Sequence, residues 1–489
     1  MKKLFWISLF FAVYSCQQQA QPAAQSPAAA GVAGMVHAEA VTPDAQIDVT
    51  VQGIQAGVAK LVGVYMEQNF ILDTTSFDAN GHLQFKRNPS YDAGLYYIIL
   101  PDFSNVQLLL DANQRFSMTT KAGDLVNSMQ VSNSLENELY YKNLKYEAVV
   151  NPQLEDLRTR LLSLKEGSPE HTSIKAQQDK LLAERKDHLK WFVDNHPNAF
   201  FTKFKLAGQN PDLQEPRKAD GSLDTALQVQ LYRNEWWNNV DFSDDRLLHT
   251  PVIKNKLERY VKNLTPQQPD SLIRAADVLM TKVGPHKNYY QFFTNWIALQ
   301  FQPTKTTVMD GEAVYVHMIQ KYITKEKAFW TDSANIAGLQ KQAWEMESSL
   351  MNRKGPDVQA PSIDGSMKSI YEKKAPYIVV YMFNPDCEHC REQTPKLVKL
   401  YNEWKNKGLD VYAIAVNTTD KEWRDYVKEY NLPFTNVFDP TNRAIYAKYF
   451  VDITPEIYVL NPNRIIIGKN LKVEQVTTVV ERDMKSPKK

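Results

Sequence analysis

The chain has 489 residues, enough for roughly three domains of about 150 residues each. Hydrophobic residues make up 43% of it and aromatic residues 11%, which is ample for packed cores. Lysine and arginine number 57 and aspartate and glutamate 56, so the net charge is only +1. This balance gives no charge field that favours nucleic acid, and we expect no nucleic-acid partner.

The first 16 residues have the pattern of an export signal. Lys2 and Lys3 precede an apolar stretch over residues 4–14, which is too short to span a bilayer as a mature helix. The stretch ends at Ser15 and Cys16, and a small residue followed by cysteine resembles the bacterial lipoprotein cleavage site. The resemblance implies cleavage before Cys16 and lipid attachment to its sulfur. The alternative is an ordinary signal peptide in which this cysteine is incidental.

The next two segments differ in composition. Residues 17–36 are rich in Gln, Ala and Pro and nearly uncharged, so we interpret them as a flexible linker. Residues 37–134 contain short β-prone runs at roughly ten-residue spacing, which predicts an all-β sandwich domain. The predicted strands are 46–52, 59–66, 81–86, 95–100, 106–111 and 115–120.

Residues 135–352 change to helical periodicity and predict an all-α middle domain. Aromatic pairs such as Trp236-Trp237 and Tyr289-Tyr290 could line a ligand groove, but core packing of helices is the favoured account. The histidines of this segment form no cluster with the spacing of metal ligands, so we expect no metal site.

Residues 353–489 predict an α/β domain with a mixed sheet. An apolar run at 377–383 is followed by a helical pattern at 391–405, then a strand at 409–416 and a helix at 421–430. Two further strands, at 456–460 and 464–468, precede a last helix that starts near Glu474. This β-α-β-α-β-β-α order places helices on both faces of the sheet.

The motif Cys387-Glu388-His389-Cys390 lies where the first strand of this domain gives way to a helix. A helix N-terminus stabilises negative charge, and the thiolate is the species that attacks disulfides. Since the chain has only three cysteines, a four-cysteine metal site is impossible, and a dithiol needs no cofactor. We predict Cys387 as the nucleophile and Cys390, one turn later and more buried, as the resolving thiol.

The C-terminal third resembles the thioredoxin superfamily, most closely its TlpA-like branch of membrane-tethered thiol–disulfide oxidoreductases. Pro395 lies five residues after Cys390, where thioredoxins carry a proline that kinks the active-site helix. Thr454-Pro455 precedes the strand at 456–460, where the family has its cis-proline. The resemblance implies that Thr454 and Pro455 present backbone groups beside the attacking sulfur and receive the substrate.

The sequence departs from the family pattern around the motif. Tyr381 stands where thioredoxins carry a buried acid, and Gln393 where TlpA-like relatives often place a glutamate. The proton acceptor for Cys390 is therefore open between Glu388 and Glu392, which could equally be solvated helix carboxylates. His389, when protonated, favours a thiolate on Cys387, whereas neighbouring carboxylates oppose it.

The whole chain also resembles large exported thioredoxin-like lipoproteins that have an N-terminal β domain and a helical middle. The segments VSNSLENE (131–138), DFSDDRLLHTPV (241–252) and FVDITPEIYVL (450–460) are typical of that class. The resemblance implies a lipid-anchored protein of the cell envelope, facing the periplasm of a Gram-negative bacterium. It also implies disulfide-containing protein substrates and an upstream thiol reductant.

These features predict a membrane-tethered thiol–disulfide oxidoreductase that reduces exported proteins. The alternative is a non-catalytic binding or scaffold lipoprotein that retains a thioredoxin-like fold. Peroxidase chemistry is disfavoured because the P-x-x-x-[ST]-x-x-C pattern would need proline and a hydroxyl residue where Val380 and Asn384 stand.

Overall fold

A computed structural model describes residues 44–303, 305–441, 448–451 and 453–485. The predicted export signal with Cys16 and the linker at 17–36 lie outside these residues. In the part of the chain that is described, no helix is both long and apolar enough to cross a membrane.

The N-terminal part is built from two four-stranded sheets, with strand orders β4-β1-β7-β8 and β3-β2-β5-β6. All six predicted strands are present within one residue at each end, and the sequence prediction missed β3 and β8. The strands are β1 (Ala45–Gln52), β2 (Val58–Tyr65), β3 (Gln68–Ser76), β4 (His82–Arg87), β5 (Gly94–Ile99), β6 (Asn105–Leu110), β7 (Arg115–Lys121) and β8 (Gln130–Ser132).

Strand β1 shows why these segments form sheets. Its residues Ala45, Ile47, Val49 and Val51 are fully buried while the intervening side chains are not, which is the period-two pattern of a strand with one covered face. The turn before β4 requires Gly81, because its φ is +72° and an added Cβ would lie 2.4 Å from the Val51 carbonyl oxygen.

The middle of the chain is helical, as predicted. The long first helix begins at an N-cap, Ser134, whose hydroxyl accepts a hydrogen bond from the Asn137 amide. The helices are α1 (Leu135–Ser163), α2 (Pro169–Asn195), α3 (Phe200–Ala207), α4 (Thr225–Glu235), α5 (Pro251–Lys262), α6 (Pro269–Val283), α7 (Lys287–Gln300), α8 (Glu312–Tyr322) and α9 (Ser333–Glu347), with a 3-10 turn at Asp245–His249.

Helix α1 also closes one sheet edge. The side-chain amide of Asn137 donates to the Leu109 carbonyl and its oxygen accepts from the Leu109 N–H, both at 2.8 Å. Asn137 is fully buried, and Leu109 lies on β6, which ends its sheet. The side chain therefore supplies the two hydrogen bonds that a further strand would make at this position.

The two sheets and the helices share one continuous hydrophobic core, which runs from Ala45 to Leu350. Trp236, Trp237 and Tyr289 of the aromatic pairs are buried in it, and Tyr290 hydrogen-bonds the Tyr322 carbonyl at 3.0 Å. These aromatic pairs are therefore packing residues, as the sequence favoured. The change from strand to helix near residue 135 does not interrupt this core.

The C-terminal part has a five-stranded mixed sheet of order β13-β12-β11-β14-β15, preceded by a small β9-β10 hairpin. Strands β11, β12 and β13 are parallel, and β14 and β15 are antiparallel to their neighbours. The strands are β9 (Gln359–Pro361), β10 (Met367–Ser369), β11 (Tyr377–Phe383), β12 (Leu409–Ala415), β13 (Thr435–Phe438), β14 (Glu456–Leu460) and β15 (Ile466–Gly468), and the helices are α10 (Glu388–Trp404), α11 (Asp420–Glu429) and α12 (Val473–Lys485).

Separate hydrophobic clusters cover the two faces of this sheet. All seven residues of β11 are buried, because helices or loops pack on both sides of it. Strands β11 and β14 match the sequence prediction, whereas α10 begins three residues earlier than expected, at Glu388. Strand β13 and the β9-β10 hairpin were not predicted.

Candidate redox site

The dithiol lies at the carboxyl end of the central strand β11. A short turn joins Phe383 to α10, and Asn384 holds it by accepting from the Asp386 N–H at 2.8 Å and donating to the Asn417 carbonyl at 3.0 Å. The turn places Cys387 at the N-cap, directly before the first residue of the helix.

Cys387 is the N-cap of α10 and is half-buried, whereas Cys390 is fully buried. The Cys387 sulfur accepts from the Cys390 backbone N–H at 3.4 Å, and both cysteines are free thiols. The Cys387 Sγ–H donates to the Thr454 carbonyl at 3.1 Å, and the Thr454–Pro455 peptide bond is cis. Three sequence-predicted residues, Cys387, Thr454 and Pro455, therefore meet at one point.

The two thiols differ in acidity. Burial raises the pKa of Cys387, but hydrogen bonds with the Cys390 and Thr454 side chains and with the backbone N–H groups of Cys390 and His389 outweigh it, so its pKa lies below the ordinary thiol value. Burial raises the pKa of Cys390 to about 12, and the adjacent Cys387 sulfur adds to that rise. The half-buried Cys387 thiol is thus the better nucleophile, and the fully buried Cys390 thiol holds its proton.

A chain of buried hydroxyls lies behind Cys390. The Tyr381 hydroxyl lies 2.8 Å from the Thr394 Oγ1, which in turn lies 2.8 Å from the Tyr426 hydroxyl. The Tyr381 hydroxyl also donates to the Cys390 carbonyl at 3.4 Å. Burial holds the pKa of Tyr381 well above its usual range, so the position where thioredoxins carry an acid is neutral here.

The other predicted residues of the motif lie on the surface. Glu388 and His389 are exposed in the first turn of α10, and Glu392 is exposed and pairs with Lys396 at 2.7 Å. This hydrogen bond to Lys396 lowers the pKa of Glu392. Among the described contacts, none joins Glu388 or Glu392 to Cys390. Pro395 is exposed within α10, where it removes one backbone donor from the helix.

A cleft of about 500 Å³ opens beside the Thr454 carbonyl. The wall that the C-terminal part of the chain supplies includes His389 and the segment Thr454–Glu456. Its opposite wall comes from the helical part and includes Thr306, Glu312 and Met346. Sequence reasoning missed this second wall, because no motif or spacing links residues this far away in the chain to the dithiol.

No group of histidine, cysteine or carboxylate side chains within the described ranges has the arrangement of a metal site.

Comparison with known proteins places the C-terminal part in a family. The AhpC/TSA family model matches residues 351–476, which hold the dithiol and the cis-proline. This region is a thioredoxin-like domain of that family. A second family model, described as a domain of unknown function (DUF5106), matches residues 223–344 of the helical part.

Relatives of the thioredoxin-like domain include curated bacterial proteins. A thiol-disulfide oxidoreductase ResA of Bacillus cereus is 20% identical over 125 residues, which are 26% of this chain and 72% of that protein. ResA of Bacillus subtilis is 24% identical over 118 residues, 24% of this chain and 63% of that protein. A crystal structure of a thioredoxin-like protein from Bacteroides caccae is 16% identical, covers 57% of this chain and 100% of its own, and has a TM-score of 0.46.

Proposed function

We propose that the protein is a membrane-tethered thiol–disulfide oxidoreductase that reduces disulfides of exported proteins. The observation that carries the proposal is the position of Cys387, a half-buried thiol at a helix N-terminus, 3.1 Å from the Thr454 carbonyl beside the cis-proline. A scaffold that only retained the fold would need neither a thiol of lowered pKa nor a second buried thiol behind it. The names of the curated relatives support the same chemistry.

The reaction takes two thiol exchanges. The Cys387 thiolate attacks one sulfur of the substrate disulfide, so a mixed disulfide forms and the other substrate sulfur leaves as a thiolate that takes up a proton. Cys390 then loses its proton and attacks the Cys387 sulfur, which releases the second substrate thiol. The substrate gains two electrons and the protein ends with a Cys387–Cys390 disulfide. An upstream thiol reductant of the cell envelope must reverse that oxidation.

Local electrostatics favour a reductant over a strong oxidant. A strong oxidant needs a heavily stabilised thiolate, with a nucleophile pKa near about 3.5 and a potential near about −120 mV. Asp386 and Glu388 are exposed carboxylates on either side of Cys387 and oppose its ionisation. We therefore expect a potential nearer the thioredoxin value of about −270 mV, and a measured value above about −170 mV would identify an oxidant instead.

The tether rests on the sequence pattern that ends at Cys16. We propose lipid attachment there and a position in the cell envelope facing the periplasm. A Cys16→Ala variant should lose lipid labelling and leave the detergent phase on phase separation, because the sulfur that carries the lipid is gone. Unchanged partitioning of that variant would contradict the anchor.

Insulin reduction by the soluble part of the chain tests the enzymatic proposal. The purified protein from residue 37 onward, supplied with dithiothreitol, should precipitate the insulin B chain faster than dithiothreitol alone. Cys387→Ser should return the rate to that of dithiothreitol. A wild-type protein that gives no acceleration, while its two cysteines remain free, would favour the scaffold alternative.

A further inference from the structure

The cleft beside the dithiol has a wall that the thioredoxin-like domain does not supply. Thr306 precedes α8, Glu312 begins α8, and Met346 lies near the end of α9. These side chains stand across the cleft from Thr454 and Pro455, whose backbone adjoins the Cys387 sulfur. A substrate disulfide that approaches the Cys387 sulfur past Thr454 and Pro455 is therefore flanked by the helical part of the chain.

The dimensions of the cleft restrict what can enter it. Its volume of about 500 Å³ is in the range of clefts that hold a small molecule. A broad folded surface is too large for such a space, whereas a single extended segment or a low-molecular-weight disulfide can fit. The cleft beside the helical wall is therefore of a size for narrow ligands.

Two buried carboxylates line the cleft. Glu312 and Glu456 are both more than nine-tenths buried, and Asp310, two residues before Glu312 in the chain, is equally buried. The cation among them is Lys469, whose Nζ lies 3.6 Å from the Asp310 Oδ1 and 3.7 Å from the Glu312 Oε2. Two buried carboxylates, Asp310 and Glu312, therefore share one ammonium group.

Two of these carboxylates have spare accepting capacity. Within the described part of the chain, the Glu312 Oε2 and the Asp310 Oδ1 make no hydrogen bond, and Lys469 lies beyond hydrogen-bond distance of both. Burial raises the pKa of Asp310 to about 6, so it is mainly ionised at pH 7.5. A buried carboxylate oxygen without a donor favours a ligand that brings one, and a charged donor best of all.

We propose that this cleft is the substrate subsite of the oxidoreductase, and that it takes a narrow disulfide with a cationic group, an amine or guanidinium, next to the reacting sulfur. This inference rests on the proposed function, because it presupposes that Cys387 attacks disulfides. Glu312 and Glu456 attract the cation, and Lys472, exposed at the rim, opposes it.

Two probe disulfides of matched size and different charge test the proposal. Reduced protein is mixed with bis(2-aminoethyl) disulfide, a dication, or with the neutral bis(2-hydroxyethyl) disulfide at pH 7.5. Quenched samples give the rate at which the Cys387–Cys390 disulfide forms in a single turnover. The measured quantity is the ratio of the two rate constants, because effects common to both probes cancel in it.

Glu312→Gln and Glu456→Gln should each lower the ratio of cationic to neutral rate constants by about fivefold, which corresponds to losing one partly buried charge contact. Thr306→Lys tests the same charge preference in another way. It adds a positive charge to the cleft and removes no buried carboxylate, and Thr306 is only partly buried. It should lower the ratio in the same direction, and Lys472→Gln should raise it. Added salt should weaken the wild-type preference.

Glu403→Gln is the matched control, because Glu403 is an exposed carboxylate near the far end of α10. It should leave the ratio unchanged. Ratios that stay within twofold of wild type in all four cleft variants, with both probes still reduced, would overturn the proposed substrate subsite. The proposed oxidoreductase function would then still stand. Failure of the wild-type dithiol to react with either probe would overturn the proposed function and the cleft together.

Discussion

The two parts of the described chain bury their hydrophobic residues in different ways. Residues 44–350 combine sheets and helices around one core, whereas the thioredoxin-like domain has a five-stranded sheet with a separate cluster on each face. In the first part β1 alternates fully buried and less buried residues, and in the second all of β11 is buried. A sheet that is buried on one face keeps its other face open to solvent. A sheet that is buried on both faces can be reached by a reactant only at its ends, and Cys387 lies at one of these ends.

In the proposed function the domain with the thiols performs the chemistry, and in the proposed subsite the other part of the chain selects what reaches it. The sharpest test of this division is Cys387→Ser, which should reduce disulfide exchange by about a thousandfold or more, because Cys390, the other described thiol, is fully buried. Cys390→Ser is the matched variant: it should keep the first exchange and accumulate a mixed disulfide on Cys387. Trapped partners attached to residue 390 in Cys387→Ser would reverse the assigned roles.

A core substitution tests whether sheets and helices of the first part form one unit. Phe293, fully buried in α7, when changed to alanine should lower the free energy of unfolding by about 3–5 kcal/mol. Because the core is shared, amide hydrogen exchange should accelerate in β2 as well as in α7, while β11 keeps its protection. Acceleration limited to the helices would show that the sheets unfold separately.

The difference in acidity between the thiols gives a prediction in pH. Iodoacetamide should label Cys387 about tenfold or more faster than Cys390 at pH 7, with a midpoint below the ordinary thiol pKa of about 8.5. Cys390 keeps its proton to a pKa of about 12 when folded but loses it earlier when unfolded, so the reduced protein should lose stability as the pH rises above about 8.5. Thermal unfolding of wild type and Cys390→Ser between pH 7 and 10 measures this, and equal slopes would argue against a buried protonated thiol.

The smallest expected effect concerns the hydroxyl chain. Tyr381→Phe removes one hydroxyl and leaves Thr394 with Tyr426 as its neighbour, so stability should fall by about 1–2 kcal/mol. Urea unfolding measures the change, and Phe383→Leu serves as a control for altered ring packing alone, since Phe383 stacks on Tyr381. An unchanged free energy of unfolding would mean that the Thr394 hydroxyl does not depend on the Tyr381 hydroxyl for its hydrogen bonding.

The sequence was most informative where burial is complete. The apolar runs at β11 and β14 have no polar interruption that would obscure their ends, so their bounds could be predicted. Strand β3 was missed because its residues 68–72 are exposed and its composition carries little alternation. Strand β13 has only four residues, too few to show a period.

The cis peptide bond ahead of β14 was expected from the family resemblance. The cysteine pair was predictable because the spacing of Cys387 and Cys390 is local. The opposite wall of the cleft was not, since Glu312 approaches Lys469 only through the packing of the helical part against the thioredoxin-like domain. The proton acceptor for Cys390 could not be chosen from sequence either. Both candidate glutamates lie in the right turn of the helix, and only the fold shows them exposed.

The amide of Asn137 has a consequence for how copies of the chain can associate. It satisfies β6 at Leu109, so that edge of the sheet does not template another strand there. The opposite edge, β3, pairs only with β2 among the described strands and exposes Phe70, Ile71 and Leu72. When two copies join through this sheet alone, β3 meets β3 in an arrangement with two-fold symmetry. The Asn137 amide thus directs strand addition at this sheet to β3 and away from Leu109.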